Sequence, residues 1–90
     1  MTKTKIRKLL GKRAMVCWRD PQTEAAWTSK PLKTITAPAE SLGWLVGFNP
    51  RGELVLAADR NCSGTSDGEY GATTAIPTSL IESIEVWKVT

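Results

Sequence analysis

The apolar residues of this chain occur in short alternating stretches separated by turn-forming residues, and this arrangement most limits the fold. Five stretches read as β-strands, over residues 14–19, 42–49, 53–59, 72–76 and 81–89. In each, apolar side chains recur at every second position or nearly so, as in a strand with one face buried. The 90 residues suffice for one small core. The sequence therefore predicts a single, mainly β domain of about five strands.

The second and third predicted strands form a hairpin. Asn49, Pro50, Arg51 and Gly52 are a typical turn sequence, with Pro in the second position and Gly available for a left-handed conformation. In the strand before the turn, bulky residues alternate with the smaller set of Gly43, Leu45 and Gly47. Small residues opposite bulky ones suit a strongly bent strand. On this pattern Trp44 is predicted to lie in the core.

Residues 4–10 are predicted to form a short helix. Ile6, Leu9 and Leu10 fall on one helical face, and Gly11 is a plausible C-terminal stop. Two turns of helix are unstable alone, so this helix must dock on the rest of the protein. Residues 1–13 are then a basic leader and residues 14–90 a small β-barrel domain. The helix is either a structural plug at one end of the barrel or an arm that contacts phosphates.

Three further segments connect the predicted strands. Residues 21–37 form a long connection that contains Trp27, and long connections are often functional. Residues 61–71 are rich in Gly and short polar side chains, which predicts a polar loop. Ile76–Pro77 opens a stretch that is predicted to be one turn of 3₁₀ helix before the last strand.

Charge is divided unevenly along the chain. Six of the twelve basic residues lie within the first thirteen positions, with no acidic residue among them. The remaining residues hold six basic and nine acidic side chains, a net charge of −3 within a total of +3. Such asymmetry indicates an anionic partner, for example nucleic acid or a phosphorylated ligand. The candidate residues for nucleic-acid binding are Lys3, Lys5, Arg7, Lys8, Lys12 and Arg13.

The residue inventory argues against catalysis. The chain has no histidine, which is the commonest general base and a common metal ligand. It has neither a Gly-rich phosphate loop before a helix nor a Gly-x-Ser-x-Gly elbow. We expect a protein that is not an enzyme and that uses no cofactor or metal. Cys17 and Cys62 are expected to be free thiols, with a disulfide left open, and no stretch has the length of a membrane span. A cytoplasmic location follows as an expectation.

Four short motifs appear in a fixed order along the chain. They are Val16-x-Trp18-x-Asp20, then Trp27, then Gly43-Trp44-Leu45-Val46, and finally Ile76-Pro77 followed by Ile81. This ordered set, which covers about residues 16–86, resembles a group of small uncharacterised proteins of tailed bacteriophages. The order of elements also resembles that of small SH3-like barrels, including the Sm-like proteins, although the Sm sequence motifs are absent. The resemblance implies a phage accessory protein with an SH3-like or Sm-like barrel that forms a homo-oligomer. The basic leader lies outside the resemblance.

The polar loop suggests a ligand site. Glycine-rich turns expose backbone N–H groups that bind anions, and hydroxyls, arginines and aromatic rings can complete a nucleotide site. The candidate ligand-binding residues are Arg19, Trp27, Arg60, Ser63, Thr65, Ser66 and Tyr70. Together with the phage resemblance, they predict non-enzymatic sequestration of a nucleotide immune signal in the host cytoplasm. Two alternatives stay open: an Sm-like oligomer that binds RNA or another single strand, and an inhibitor of a host protein.

Overall fold

The computed structural model describes residues 1–21, 35–61 and 69–87. The elements in chain order are helix α1 (Lys3–Arg7), strand β1 (Arg13–Asp20), strand β2 (Ala37–Phe48), strand β3 (Leu54–Arg60), strand β4 (Tyr70–Ile76), a 3₁₀ turn (Thr78–Leu80) and strand β5 (Ile81–Val86). The mainly β class, the short N-terminal helix and the 3₁₀ turn before the last strand are confirmed. The helix is shorter than predicted, and β2 begins five residues earlier.

The five strands form one antiparallel sheet in the order β4-β3-β2-β1-β5. Strand β1 lies inside the sheet, where Ala14 is opposite Gly43 of β2 and Val86 of β5. The edge strands β4 and β5 follow each other in the chain across Pro77 and the 3₁₀ turn, but no pairing joins them in the described residues. The sheet is therefore open, and closure into a barrel is not shown.

The core lies on the inner face of this sheet and includes the N-terminal helix. The buried side chains of this cluster come from α1 and from all five strands; they are Ile6, Ala14, Val16, Leu45, Leu54, Leu56, Ile76 and Ile81. Leu9 and Leu10 are partly buried against the same cluster. The apolar face predicted for the helix thus packs on the core. Thr2 caps this helix, because its side chain accepts a hydrogen bond from the Lys5 N–H.

Gly11 ends the turn that follows helix α1 and aligns the next residues with β2. The helix itself ends at Arg7 with Lys8 as its C-cap, so the stop predicted at Gly11 lies beyond the observed helix end. The φ of Gly11, +85°, is a conformation that favours glycine. The Gly11 N–H donates to the Leu45 carbonyl over 2.7 Å, and the Leu45 N–H donates to the Lys12 carbonyl over 2.9 Å. These two bonds hold the start of β1 against the middle of β2.

Strand β2 turns the opposite face inward from the one predicted. Leu45 is fully buried and Gly43 is also buried, whereas Leu42 is 54% exposed and Trp44 only half-buried. The prediction that Trp44 belongs to the core is therefore wrong. The reason is steric: a Cβ on Gly43 would overlap the carbonyl oxygen of Ala57, so β3 approaches too closely for a side chain there.

The hairpin between β2 and β3 has the predicted turn. The Gly52 N–H donates to the Asn49 carbonyl over 2.8 Å, and Gly52 has a φ of +79°. The Asn49 side-chain oxygen accepts from the backbone N–H groups of Arg51 and Glu53. This local pairing is the one that the Asn-Pro-Arg-Gly sequence indicates.

Among the described residues, no helix is both long enough and apolar enough to span a membrane.

Candidate functional site

An open groove lined by residues of the leader, of strands β1, β2, β3 and β5, and of the position after β5 is the main candidate site. It has a volume of about 640 Å³, within the range of about 300–1,000 Å³ typical of ligand sites. We name it the Trp44 groove. The residues that line it are Leu9, Gly11, Lys12, Arg13, Trp44, Arg60, Val86 and Trp87. A smaller cavity of about 140 Å³ adjoins it and shares Arg13, Trp44 and Trp87.

Strand pairing places Arg13 beside Trp44. The two residues are directly opposite in the β1–β2 ladder, so their side chains share the outer face. The Arg13 guanidinium carbon lies 5.6 Å from the Trp44 ring centroid, which is within cation–π distance. Arg13 is exposed and Trp44 is half-buried, so both side chains can be reached from solvent.

Trp87 lies on the other side of Arg13, immediately after β5. Its backbone N–H donates to the Arg13 carbonyl over 2.8 Å, and this bond fixes its position next to β1. The Arg13 guanidinium carbon is 5.7 Å from the Trp87 ring centroid. Trp87 is 51% exposed, one of the largest exposed apolar side chains in the described part of the chain.

Arg60 approaches Trp44 from the third strand. Its guanidinium carbon is 5.1 Å from the Trp44 ring centroid, the shortest of the cation–π distances in the described residues. Arg60 comes from β3, which pairs with β2 on the side away from β1. Trp44 therefore meets one guanidinium from each neighbouring strand.

The described lining of the groove is positively charged. Lys12, Arg13 and Arg60 belong to it, and none of its eight described residues is acidic. Over residues 1–21, 35–61 and 69–87, the one salt bridge within 4 Å joins Arg19 to Glu82, so no described carboxylate forms an ion pair with a groove cation. Such a site attracts anions, and its aromatic rings offer flat apolar surface for a planar group.

The predicted ligand-binding residues are only partly brought together. Arg60 lies in the groove, and Tyr70 is opposite it in the β3–β4 ladder. Arg19 is at the far end of β1, six residues from Arg13 or about 20 Å along a strand. Its side chain donates to the Thr36 hydroxyl and carbonyl, each over 3.1 Å, and lies 3.5 Å from the Glu82 carboxylate.

Four other predicted ligand contacts, Trp27, Ser63, Thr65 and Ser66, lie outside the described residues. The same is true of Cys62, whereas Cys17 is a free thiol. The described start and end of the polar loop are joined by Asn61 and Glu69. The backbone N–H of Asn61 donates to the Glu69 carbonyl over 2.9 Å, and its side-chain amide donates to the Glu69 carboxylate over 2.8 Å.

The basic residues of the leader divide into three groups. Lys12 and Arg13 line the groove. Lys3 and Arg7 lie over the Phe48 ring, 5.8 Å and 5.6 Å from its centroid, at the hairpin end of β2. The remaining two, Lys5 and Lys8, are exposed. The leader thus serves both packing on the core and the charge of the groove.

Sequence reasoning missed the two aromatic residues of the site. Trp44 is predicted to lie in the core, and Trp87 is not among the candidate ligand-binding residues. The available signal was the ratio of four tryptophans to one Phe and one Tyr, because Trp is enriched at binding surfaces. Trp18 differs from both groove residues: it packs against the core, and its indole N–H donates to the Ser41 hydroxyl over 3.0 Å.

In the described ranges, no group of three or more Cys, Asp or Glu side chains is placed to hold a metal ion. Comparison with protein-family models, with curated proteins and with solved structures gives no match for this chain.

Proposed function

We propose that the protein binds a phosphorylated ligand with an aromatic base, in the Trp44 groove, and releases it unchanged. The observation that carries the proposal is the position of Trp44, whose ring lies within cation–π distance of both the Arg13 and the Arg60 guanidinium in an open cationic groove. This arrangement offers a stacking surface for a base and two planar cations for phosphate.

Each part of the ligand has a matching group. A base stacked on a tryptophan ring contributes about 1–3 kcal/mol, and every base has a π face that can use it. A guanidinium presents parallel N–H donors that match phosphate oxygens in a bidentate manner. Lys12 adds a third positive charge at the groove. Both requirements of a nucleotide are therefore met by residues that line one space.

The composition of the groove supports binding without turnover. Among the described residues that line it, the polar side chains are one lysine and two arginines, and the others are Gly, Leu, Val and Trp. None of these lining residues is a carboxylate or hydroxyl that would act as a base or nucleophile at neutral pH. We therefore propose that the protein binds the ligand without changing it chemically.

The biological setting follows from the resemblance to phage proteins. The SH3-like or Sm-like barrel type is supported by the interior position of β1, between β2 and β5, and by the 3₁₀ turn that connects the two edge strands. A small phage protein that binds a nucleotide without reacting with it would act by sequestration. We propose a host nucleotide immune signal as the ligand it removes.

A second candidate, binding of single-stranded nucleic acid, has one specific observation in its favour. Lys12 and Arg13 extend the basic leader directly into the groove. A strand bound at Trp44 would therefore continue over a positively charged segment. The described residues offer no comparable observation for inhibition of a host protein.

Isothermal titration calorimetry with adenosine 5′-monophosphate, adenosine and inorganic phosphate tests the proposal. We expect the nucleotide to bind more tightly than either part, and Trp44→Leu to weaken its binding by about 1–3 kcal/mol while Trp44→Phe retains most of it. The Arg51→Ala variant is the charge-matched control, because Arg51 is an exposed residue of the hairpin turn outside the groove.

Chromatography of the recovered ligand completes the test. Recovery of intact nucleotide after prolonged incubation agrees with binding alone. Any reaction product of the nucleotide would contradict the proposal of binding without turnover. The proposed site is wrong if Trp44→Leu, folded to the same melting temperature, binds the nucleotide as well as the unmodified protein.

A further inference from the structure

The groove contains a row of alternating aromatic and cationic side chains that crosses four neighbouring strands. In spatial order the row is Trp87 after β5, Arg13 in β1, Trp44 in β2 and Arg60 in β3. Backbone pairing fixes three of these positions: Arg13 is opposite Trp44 in the ladder, and the Trp87 N–H bonds to the Arg13 carbonyl. The alternation is therefore a property of the sheet register.

The spacing of the row suits more than one base. The Arg13 guanidinium carbon is 5.6 Å from one tryptophan centroid and 5.7 Å from the other, so the two centroids are at most about 11 Å apart. Neighbouring bases in a strand are about 3.4 Å apart when stacked and further apart when the backbone is stretched. Two consecutive bases can thus reach one ring each.

The position of Arg13 between two tryptophans matches the position of a phosphodiester between two bases. In a dinucleotide the order is base, phosphodiester, base, and across the sheet it is Trp44, Arg13, Trp87. An anion at Arg13, near both rings, would gain a charge-assisted hydrogen bond from the guanidinium.

We propose that the Trp44 groove takes two nucleotides joined by a phosphodiester, with one base on Trp44, the next on Trp87 and the linking phosphate at Arg13. This inference rests on the proposed function and narrows its ligand class. Arg60 and Lys12 then serve the phosphates that flank the pair. The same chemistry is found in a free dinucleotide and in a longer single strand.

Calorimetry with three probes tests the inference: adenosine 5′-monophosphate, the 5′-phosphorylated adenylate dinucleotide and a ten-nucleotide oligoadenylate. We expect the dinucleotide to bind about tenfold more tightly than the mononucleotide, through the second stacked base. A further gain for the longer strand identifies single-stranded nucleic acid as the source. Equal affinity for the dinucleotide and the strand identifies a free dinucleotide.

The Trp87→Leu variant supplies the decisive comparison. It should lose the tenfold advantage of the dinucleotide over the mononucleotide, and Trp87→Phe should restore most of that advantage. Arg51→Ala, outside the row, should leave both affinities unchanged.

The outcomes separate the two proposals. If neither nucleotide binds, the proposed function fails and this inference fails with it. If the mononucleotide binds at Trp44 as tightly as the dinucleotide, or if Trp87→Leu keeps the dinucleotide advantage, the proposed function stands and the two-nucleotide site is wrong.

Discussion

The guanidinium of Arg60 lies 5.1 Å from the centre of the Trp44 ring, although the two residues are on different strands and sixteen positions apart in the chain. Arg13 approaches the same ring from the opposite neighbouring strand. Two cations held near one aromatic surface, with no described carboxylate in an ion pair with either, leave their charge available to an anion. The affinity of that anion should then depend strongly on salt.

Removal of either arginine should reduce the salt dependence of binding to a single strand. Each phosphate contact contributes about 0.7 to the slope of log K against log salt concentration, so Arg13→Ala and Arg60→Ala should each lower the slope by about that amount. Titrations of the ten-nucleotide strand at four salt concentrations measure the slope. The Arg51→Ala control removes the same charge from the hairpin turn. An equal decrease in that control would show that only the overall charge matters.

Replacement of Gly43 by Ala should destabilise the protein by about 1–3 kcal/mol, because the added Cβ overlaps the backbone of Ala57. Backbone atoms cannot move aside as the end of a flexible side chain can. Urea unfolding followed by circular dichroism gives the free energy of unfolding. Gly71→Ala is the matched control, since a Cβ there meets the Asp59 Cβ at an ordinary 3.5 Å. Equal stability of both variants would refute the close approach of β3 to β2.

The leader should contribute to stability through Ile6. This residue is fully buried in the common core, so Ile6→Ala should lower the free energy of unfolding by about 2–5 kcal/mol. Lys5→Ala, one position away and exposed, should change it by no more than about 0.5 kcal/mol. A helix that served only as a detached binding arm would give two variants of equal stability.

Self-association is expected from the apolar outer face. Leu42 is 54% exposed and lies opposite Met15 in the β1–β2 ladder, away from the core. Sedimentation equilibrium at tens of micromolar should give a mass above that of one chain, and Leu42→Asp should shift it toward the monomer. A monomeric unmodified protein would contradict the predicted homo-oligomer.

Local structure could largely be predicted from the sequence. The hairpin turn at residues 49–52 and the 3₁₀ turn after Pro77 both lie where they were predicted. Each depends on residues within a few positions of one another: a side chain that accepts from nearby N–H groups, a glycine with positive φ, or a proline that begins a turn. Such preferences act at short range and are therefore visible in the sequence.

The face of β2 that packs on the core could not be predicted from the sequence. Alternation shows which residues share a face, but not which face meets the core. The bulkier set containing Leu42 and Trp44 was expected inside, yet Gly43 and Leu45 are the buried residues, and the close approach of β3 leaves no room for a side chain at Gly43. An irregularity between Leu45 and Gly47 then changes the register, so that Phe48 further along packs against the core.

The sequence by itself thus determined the class of the fold, the order of its elements and the division of its charge. Tertiary structure alone decided that Arg13, Trp44, Arg60 and Trp87 meet, since they come from four separate segments of the chain. Their meeting depends on strand order and register, which are set by packing between distant parts of the chain. No local preference of any of the four residues encodes that arrangement.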